Sequence, residues 1–481
     1  MKLYLGYAIR LRFWMPLILF LAFSMVACQS LPSAPKGTQS SPVVQFSPTR
    51  QSTPVTVSGK TYYVSKNGNN ADGRSWSTAW NELDVVNWSV IQPGDTLLLD
   101  GGTGNMTYAT TLTIGKSGTP HAPITIRRAT ETGRNGKVVI FGGRSTPLPY
   151  CGQTGYANQT AGVVQMGIEF GASAWVIVDG MSWDGISVYG HDTAGVDFSS
   201  ISDHDTLRNM EIYDNGHAYQ RSDGTWQPNT RGDGVNLFGS NLAFEQMNIH
   251  DNGDDALEGA DIRNITILHS WLHETREDPT QQGLPFDQCV HQDGIQVWGG
   301  GVQSGVLIED SVLGPGLKEG TIIGQTSGGG NEGAVVNNVT ITNTLFLNKV
   351  INVMGYSYLK EQHWTLDHDT IVSPGDAIAI WVEGTGHVVT NSIFYEGQIM
   401  LPDGLAASSG NCQWDTNHDT TAVVGNTADP EFVTDASSFD DSTPLARIAA
   451  GNFSPRAGSP CAGKGSSITS VAQLIESASQ P

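Results

Sequence analysis

The sequence predicts an all-β fold built as a solenoid of short strands. Glycine is frequent, with 57 residues in 481, and charged residues make up only 15% of the chain. Val, Ile and Thr recur in short runs, which favours strands and turns over helices. From about residue 160, similar short strands return at spacings of 22 to 39 residues, which is typical of a solenoid.

The first segment of the chain predicts export. Lys2, Arg10 and Arg12 precede the apolar run FWMPLILFLAFSMVA (13–27), which is shorter than a membrane span needs. We interpret residues 1–27 as a signal peptide. Its end, MVAC (25–28), resembles a bacterial lipoprotein signal, which implies lipidation of Cys28 and a lipid anchor at the cell surface; secretion without an anchor is the alternative. Residues 28–58 are rich in Ser, Pro, Thr and Gln and predict a flexible tether.

The remaining chain divides into three regions of one predicted domain. We expect N-terminal coils and a cap over 59–160, central coils with the functional site over 161–400, and a closing segment over 401–481. The formal charge of −22 makes nucleic acid an unsuitable partner. We expect a monomer.

Alternation within the repeated strands predicts which side chains form the core. The strands begin with GIEF, GVDF, GVNL, DALE, GIQV, GTII, VINV and AIAI. Because successive residues of a strand point to opposite sides, one set of apolar residues should lie inside. This set is Val235, Leu237, Ile295, Val297, Ile351, Val353, Ile378 and Ile380.

Both ends of the repeat region resemble a known superfamily. TYYVSKNGNNADG (61–73), IQPGDTLLLDGG (91–102), SGTPHAPITIRRA (117–129) and GKVVIFGG (136–143) are similar to the first coils of secreted proteins of the pectate-lyase-like superfamily. ADPEFV (428–433) and AGSPCAGKG (457–465) resemble their closing segment. The resemblance implies a right-handed parallel β-helix. Since this fold carries lyases, hydrolases, epimerases and adhesins, it does not by itself give the activity.

Polar residues recur at matching positions of successive coils. Equivalent residues of neighbouring coils stack about 4.8 Å apart, the usual distance between paired strands. The residue before each strand forms an acidic row, Asp233, Asp255, Asp293 and Glu319. Three positions later an outer row faces outward and consists of Glu169, Asp197, Asn236, Glu258, Gln296, Ile322, Asn352 and Ala379. Two positions further on lie Phe238, Trp298, Met354 and Trp381. Acids beside aromatic side chains favour a groove that binds glycan.

The stretch HDNGDDALEG (250–259) concentrates negative charge. Carboxylates held close together need a proton or a cation between them, and calcium accepts six to eight oxygen ligands. The pattern of Asp233-Gly followed one coil later by Asp254-Asp255-x-x-Glu258 resembles the calcium site of family 9 polysaccharide lyases. This resemblance implies that Asp233, Asp254, Asp255 and Glu258 bind Ca²⁺ and that the protein is a uronate-specific lyase.

One departure from that family concerns the catalytic base. The position of the family's lysine, which removes the C5 proton of the sugar, is occupied by Gln296, and glutamine cannot act as a base. Lys318 and Arg276 are candidates for a displaced base. The predicted catalytic residues are Asp255, Asp293, His291 and Lys318, and the predicted substrate-binding residues are Asn236, Gln296, Trp298, Trp381 and Arg276.

Two other functions fit the same residues. Asp233, Asp254, Asp255 and His291 also resemble the catalytic positions of family 28 glycoside hydrolases, which implies inverting hydrolysis, although that family's later Arg-x-Lys signature has no counterpart. A surface protein that binds glycan without cleaving it, or an adhesin, is the third possibility. The acidic balance disfavours a polyanionic substrate unless calcium bridges it, so neutral or weakly acidic glycans have equal weight.

Four cysteines remain after export, and they allow three pairings. The loop ETREDPTQQGLPFDQCVHQ (274–292) and the segment STPLPYCGQTGYANQT (145–160) are expected to form two walls of the groove. A Cys151–Cys289 bridge would stiffen both walls and would leave Cys412 to pair with Cys461.

Overall fold

The strands form three long faces, and each strand pairs in parallel with its counterpart one coil later. Leu257, for example, pairs with Val235 in the preceding coil and with Ile295 in the next. The prediction of an all-β, right-handed parallel β-helix is confirmed. The computed structural model describes residues 59–149, 152–158, 162–199, 201–220, 222–228, 232–274, 293–298, 301–323, 334–355, 360–373, 377–418, 423–439 and 443–478.

Each coil passes through the first, second and third face in turn. The first face comprises Leu112–Thr113, Met166–Gly171, Ala194–Phe198, Val235–Ser240, the start of Leu257–Leu268, Ile295–Val297, Glu319–Ile323, Ile351–Gly355, Ile378–Val382, Gln398–Met400 and Asn417–His418. The second face comprises Thr61–Val64, Thr96–Leu99, Ile124–Arg128, Val176–Asp179, the starts of Thr206–Tyr213 and Ala243–His250, the end of Leu257–Leu268, Gly301–Glu309, Ala334–Thr342, Thr365–Asp367, Val388–Thr390 and Ala407–Ser409.

The third face completes the triangle. It comprises Asn105–Tyr108, Lys137–Phe141, Ile186–Tyr189, the ends of Thr206–Tyr213 and Ala243–His250, Trp271–His273, Val312–Leu313, Leu345–Phe346, Thr370–Val372, Ile393–Tyr395, Asn411–Trp414 and Gly425–Thr427. Four further strands lie outside the faces: Ala218–Gln220 and Trp226–Pro228 form an antiparallel hairpin, and Glu361–Gln362 pairs with Gly384–Thr385.

The core fills the space between the three faces. Seven of the eight residues predicted to be internal are buried, and Ile378 is the exception because it is only half-buried. The strand pairing shifts register between Ile378 and Ile380, and Ala379 is fully buried instead. Alternation therefore predicts the core residues correctly up to the register shift at Ile378, where it no longer indicates which side chain faces inward.

Turns between the faces use asparagine and aspartate at recurring positions. The turn between the second and third faces uses left-handed backbone conformations, which asparagine and aspartate tolerate better than most residues. These positions are Asn209, Gln246, His269, Asp310, Asn343, His368 and Asn391. In the turn before the first face, Asn215 Nδ2 donates to Asn252 Oδ1 of the next coil at 3.0 Å. The turns thus stack like the strands.

The closing segment covers part of the third face. Helix α1 (Leu445–Ala449) and helix α2 (Val471–Ala478) contribute Ile448 and Leu474 to an apolar cluster with Val312 and Ile393 of that face. A disulfide joins Cys412 to Cys461 in the same cluster, as predicted, whereas Cys151 and Cys289 lie outside the described residues. A 3-10 helix spans Ala436–Ser438. Among the described helices, none is both long enough and apolar enough to cross a membrane.

Candidate functional site

The acidic row lies at the corner where the chain enters the first face. The backbone N–H of Asp293 donates to Asp255 Oδ1 at 2.7 Å, and the N–H of Glu319 donates to Asp293 Oδ1 at 3.2 Å. Asp255 and Asp293 are fully buried, and Asp233 and Glu319 nearly so. The structure therefore brings the four acids of this row together on successive coils, as the repeat spacing predicts.

A small residue follows each of these acids because the coils are closest at this corner. A Cβ atom added to Gly294 would lie 2.1 Å from the carbonyl oxygen of Gly320, and one added to Gly320 would lie 2.4 Å from that of Asn352. Both distances are far below van der Waals contact. The Asp-Gly and Glu-Gly pairs thus have a packing cause, and the function of the acids must be argued from their side chains.

Three carboxyl groups of adjacent coils converge beside this row. One carboxylate oxygen from each of Asp233, Asp254 and Glu258 lies within 4.8 Å of the other two. Asp233 and Asp254 are only 5% and 6% exposed, so water screens them little. Oδ1 of Asp233 is buried and has no hydrogen-bond partner among the described residues. We call these three residues the carboxylate cluster.

Burial and mutual repulsion keep the carboxylate cluster from ionising readily. Burial, followed by the charges of Glu258 and Asp254, raises the pKa of Asp233 well above its usual value. Burial and Glu258 raise the pKa of Asp254 to about 8, against an opposing effect of Lys318. Burial also raises the pKa of Glu258. Near neutral pH the cluster must therefore bind protons or a cation.

The donor set suits a hard divalent cation. The three side chains offer only oxygen, come from two neighbouring coils, and include a buried oxygen with no partner among the described residues. Calcium accepts oxygen ligands in irregular geometry and leaves room for ligands from a substrate. Asp255, which the resemblance also implies as a ligand, is not part of the cluster: its Oδ1 accepts the Asp293 N–H, and burial and Asp293 raise its pKa.

Gln296 supports the acidic row. Gln296 pairs with Glu258 in the strand register, and its Nε2 donates to Asp293 Oδ2 at 3.0 Å. Lys318, one coil later, is half-buried, and its positive charge opposes the rise in pKa of both Asp254 and Asp293. The amine of Lys318 is therefore a basic group near enough to Asp254 and Asp293 to favour their charged forms.

The register of the outer row is as predicted through Ile322 and differs after it, although Gln296 is buried rather than exposed. Its register runs from Glu169 through Asp197, Asn236, Glu258 and Gln296 to Ile322, and then to Met354, Trp381 and Met400. The prediction that Asn352 and Ala379 face outward is wrong, since both are fully buried. The next strand enters the face two residues later than expected, because Glu319 pairs with Ile351. Asn352 instead donates from Nδ2 to Ser373 Oγ at 2.7 Å.

Aromatic side chains lie near the outer row. Trp298 is 41% exposed and contacts Phe238 edge to face, with ring centroids 6.2 Å apart. The register correction places Trp381 on the outer row itself, where it is half-buried. Asn236 Nδ2 donates to Asp197 Oδ1 of the preceding coil at 2.8 Å.

A hairpin precedes Asp233 and was not predicted. Tyr219, on its first strand Ala218–Gln220, is 54% exposed. Trp226 on the second strand bridges to Gln153 and packs against Tyr156, with ring centroids 5.4 Å apart. The Asp-Gly pair at 223–224, between two polar and aromatic runs, is the sequence signal that could have identified it.

His250, at the start of the HDNGDDALEG stretch, belongs to the third face. Its Nδ1 lies 2.7 Å from Asp251 Oδ2, and its Nε2 lies 3.6 Å from Glu211 Oε1. Burial lowers the pKa of His250, but hydrogen bonds to these two carboxylates outweigh burial and raise it to about 9. The ring stacks between Tyr213 and His273, with centroids 5.1 and 4.8 Å away. His250 is therefore a structural cation of the coil.

Two predicted site residues, His291 and Arg276, lie outside the described residues. The same holds for Cys28 and for most of the loop at 274–292.

Comparisons with known proteins give a likeness to solved structures only. No protein-family model matches the chain, and no curated protein matches it. Similar solved structures include pectate lyase Pel9A, at 16% identity over 83% of this chain and 90% of that one with a TM-score of 0.45. A rhamnogalacturonan lyase is 12% identical over 85% and 99%, with a TM-score of 0.43. XylC in complex with xylose is 10% identical over 79% and 87%, with a TM-score of 0.43.

Proposed function

We propose that the protein is an exported polysaccharide lyase that cleaves glycans at uronic acid residues and depends on calcium. The carboxylate cluster is the observation that carries this proposal. Its three oxygens lie within 4.8 Å of one another in a nearly buried site, and such a site is stable near neutral pH only with a cation or bound protons. Beside it lies an exposed tryptophan, Trp298, that offers an apolar surface for a sugar ring.

The chemistry divides between the metal and the side chains. Calcium, when bound by Asp233, Asp254 and Glu258, would bind the carboxylate of the sugar and acidify the proton on C5. Lys318, in its neutral form, accepts that proton. The electron pair of the C5–H bond forms the C4–C5 double bond, and the bond between C4 and the glycosidic oxygen breaks. The leaving oxygen takes a proton from water, and the resulting hydroxide takes the proton from Lys318, which returns to its neutral form. Gln296 holds Asp293 in place through its 3.0 Å hydrogen bond and takes no part in proton transfer.

The spacing of the cluster favours a cation over inverting hydrolysis by these acids. An inverting pair of carboxyl groups needs a separation of about 6.5–9.5 Å to hold a water molecule. Oxygens of Asp233, Asp254 and Glu258 lie within 4.8 Å of one another, which leaves no such space between these three residues. Hydrolysis would require another acid and base, and glycan binding without cleavage would require no base at all.

The test is a screen of the purified protein against acidic and neutral polysaccharides, with calcium and with chelator. Ultraviolet absorbance of unsaturated uronates and new reducing ends are recorded together. We expect both signals to appear with calcium and to be lost with chelator. The Lys318→Ala variant should lose activity while retaining the increase in melting temperature caused by calcium, and Lys360→Ala, an exposed lysine paired with Asp403, serves as its control. Reducing ends without absorbance would contradict the lyase proposal, and neither signal on any glycan would favour a binding protein.

A further inference from the structure

We infer that the groove accepts glycans in which an acidic sugar stands between uncharged sugars, and that it discriminates against homopolymers of uronic acid. This inference rests on the proposed function, since it takes the carboxylate of one sugar to lie at the carboxylate cluster. It concerns the two sides of the cluster along the outer row, where the neighbouring sugars would lie.

On the N-terminal side the outer row is negative. Asp197 pairs with Glu169 in adjacent strands, and both side chains are half-buried. Asp197 Oδ1 accepts a hydrogen bond from Asn236, and Glu169 Oε2 accepts one from Thr113 Oγ1 at 3.0 Å. Among the described residues neither carboxylate forms an ion pair with a basic side chain. A second uronate in this direction would meet two like charges, which opposes binding.

On the C-terminal side the outer row is apolar. Met354 pairs with Trp381 and Trp381 with Met400, and all three side chains are half-buried. Trp298, which directly follows a strand on this side, packs its exposed ring back against Phe238 in the coil of Asp233. Aromatic and apolar side chains pack well against the C–H faces of sugars, but they cannot compensate the charge of a carboxylate that loses water on binding. This side therefore suits an uncharged sugar.

The row also has no basic residue that could bind further uronates. Along the described outer row the paired positions are Thr113, Glu169, Asp197, Asn236, Glu258, Gln296, Ile322, Met354, Trp381 and Met400, and none of them is Lys, Arg or His. Lys318 lies at the cluster, between the two sides. One acidic sugar is thus matched to the cation site, and its neighbours face either carboxylates or apolar side chains.

The experiment compares two polymers at equal uronic acid and calcium concentrations. One is a homopolymer of uronic acid, and the other alternates uronic acid with a neutral sugar. We expect kcat/KM for the alternating polymer, followed by ultraviolet absorbance, to exceed that for the homopolymer by about tenfold or more. The double variant Glu169→Gln, Asp197→Asn should raise the homopolymer-to-alternating ratio by about tenfold, since both repulsive charges are removed. Glu245→Gln, a carboxylate 37% exposed on the second face, should leave the ratio unchanged.

If kcat/KM for the homopolymer equals or exceeds that for the alternating polymer in the wild-type protein, or if the double variant leaves the homopolymer-to-alternating ratio unchanged, the inference is overturned while elimination itself remains established. Calorimetric binding of short oligosaccharides of both kinds, in calcium, gives the same comparison without cleavage. If neither polymer yields unsaturated product, the proposed function fails. Tighter binding of the alternating oligosaccharide would then still support the inference about the groove, and equal binding would refute it.

Discussion

Replacing Asp254 with asparagine should stabilise the protein in chelator and reduce its stabilisation by calcium. Asp254 is 6% exposed, and burial together with Glu258 raises its pKa to about 8. Asparagine has nearly the same shape and no charge. In chelator the variant removes repulsion from the carboxylate cluster, and in calcium it removes one of the three protein ligands.

The size of the effect in chelator follows from the raised pKa. A carboxyl group whose pKa rises from 3.8 to about 8 destabilises the folded state at pH 7 by up to about 4 kcal/mol, at 1.36 kcal/mol for each pH unit between 3.8 and 7. Because Asp233 and Glu258 share this repulsion, we expect a gain of about 1 to 4 kcal/mol for Asp254→Asn. Because the pKa of Asp254 is higher in the folded state than in the unfolded state, its contribution to stability is most favourable below pH 3.8. That contribution is lost as pH rises through 8.

Calcium should stabilise the variant less than the wild-type protein. A ligand that binds only the folded state stabilises it by about 2.7 kcal/mol at one hundred times its Kd. The variant should lose most of this increase. The assay is thermal unfolding at pH 5, 7 and 8, with chelator and with calcium. The control is Asp261→Asn, at an exposed position on the same strand whose left-handed backbone asparagine also accepts. Two results would refute the reasoning: a lower midpoint of the variant in chelator, or an equal effect of calcium on both proteins.

Three further predictions concern the scaffold and the groove. Since the pKa of His250 is raised to about 9, the stability that its two carboxylate partners provide is present below pH 6.5 and is lost as pH rises through 9. The variant His250→Gln should remove this pH dependence, which thermal unfolding at pH 6 and 9.5 measures. Trp298→Ala should raise KM for the cleaved glycan several-fold with little change in kcat, and an effect on kcat alone would contradict a role in binding. Leu237→Ala should lower the free energy of unfolding by about 2 to 5 kcal/mol in urea titrations, whereas the exposed Val302→Ala should change it by less than about 0.5 kcal/mol.

The sequence is sufficient to predict the fold and the register of the outer row as far as Ile322. Inward alternation identifies Val235 and Leu237, which are fully buried, and the repeat spacing aligns Asn236 with Glu258 and Gln296. Both results depend only on the period of two along a strand and on the regular stacking of coils.

The sequence does not predict where that regularity breaks. The strand Ile351–Gly355 begins two residues later than the repeat implies, and the following strand contains a register shift at Ile378, so the row after Ile322 cannot be aligned from spacing alone. At the corner before the first face, the alternation between inward-facing and outward-facing residues also fails. Gly234 faces the core, because a Cβ atom added to it would lie 2.6 Å from Ile249 Cγ2. Asp233, the residue before it, lies in the carboxylate cluster with the outward-facing Glu258.

The most direct test of the central claim is the fate of oxygen during cleavage. The calcium-loaded protein is incubated with an acidic glycan in water labelled with heavy oxygen, and the products are analysed by mass spectrometry. Elimination at the carboxylate cluster predicts that one new chain end is unsaturated, with a mass lower by one water than a hydrolysis product. It also predicts that the other end gains label only by the slow exchange of its hemiacetal oxygen with water, at the rate seen for the same reducing sugar without the protein. Incorporation of one labelled oxygen per cleavage, with no unsaturated end, would show hydrolysis and contradict the account.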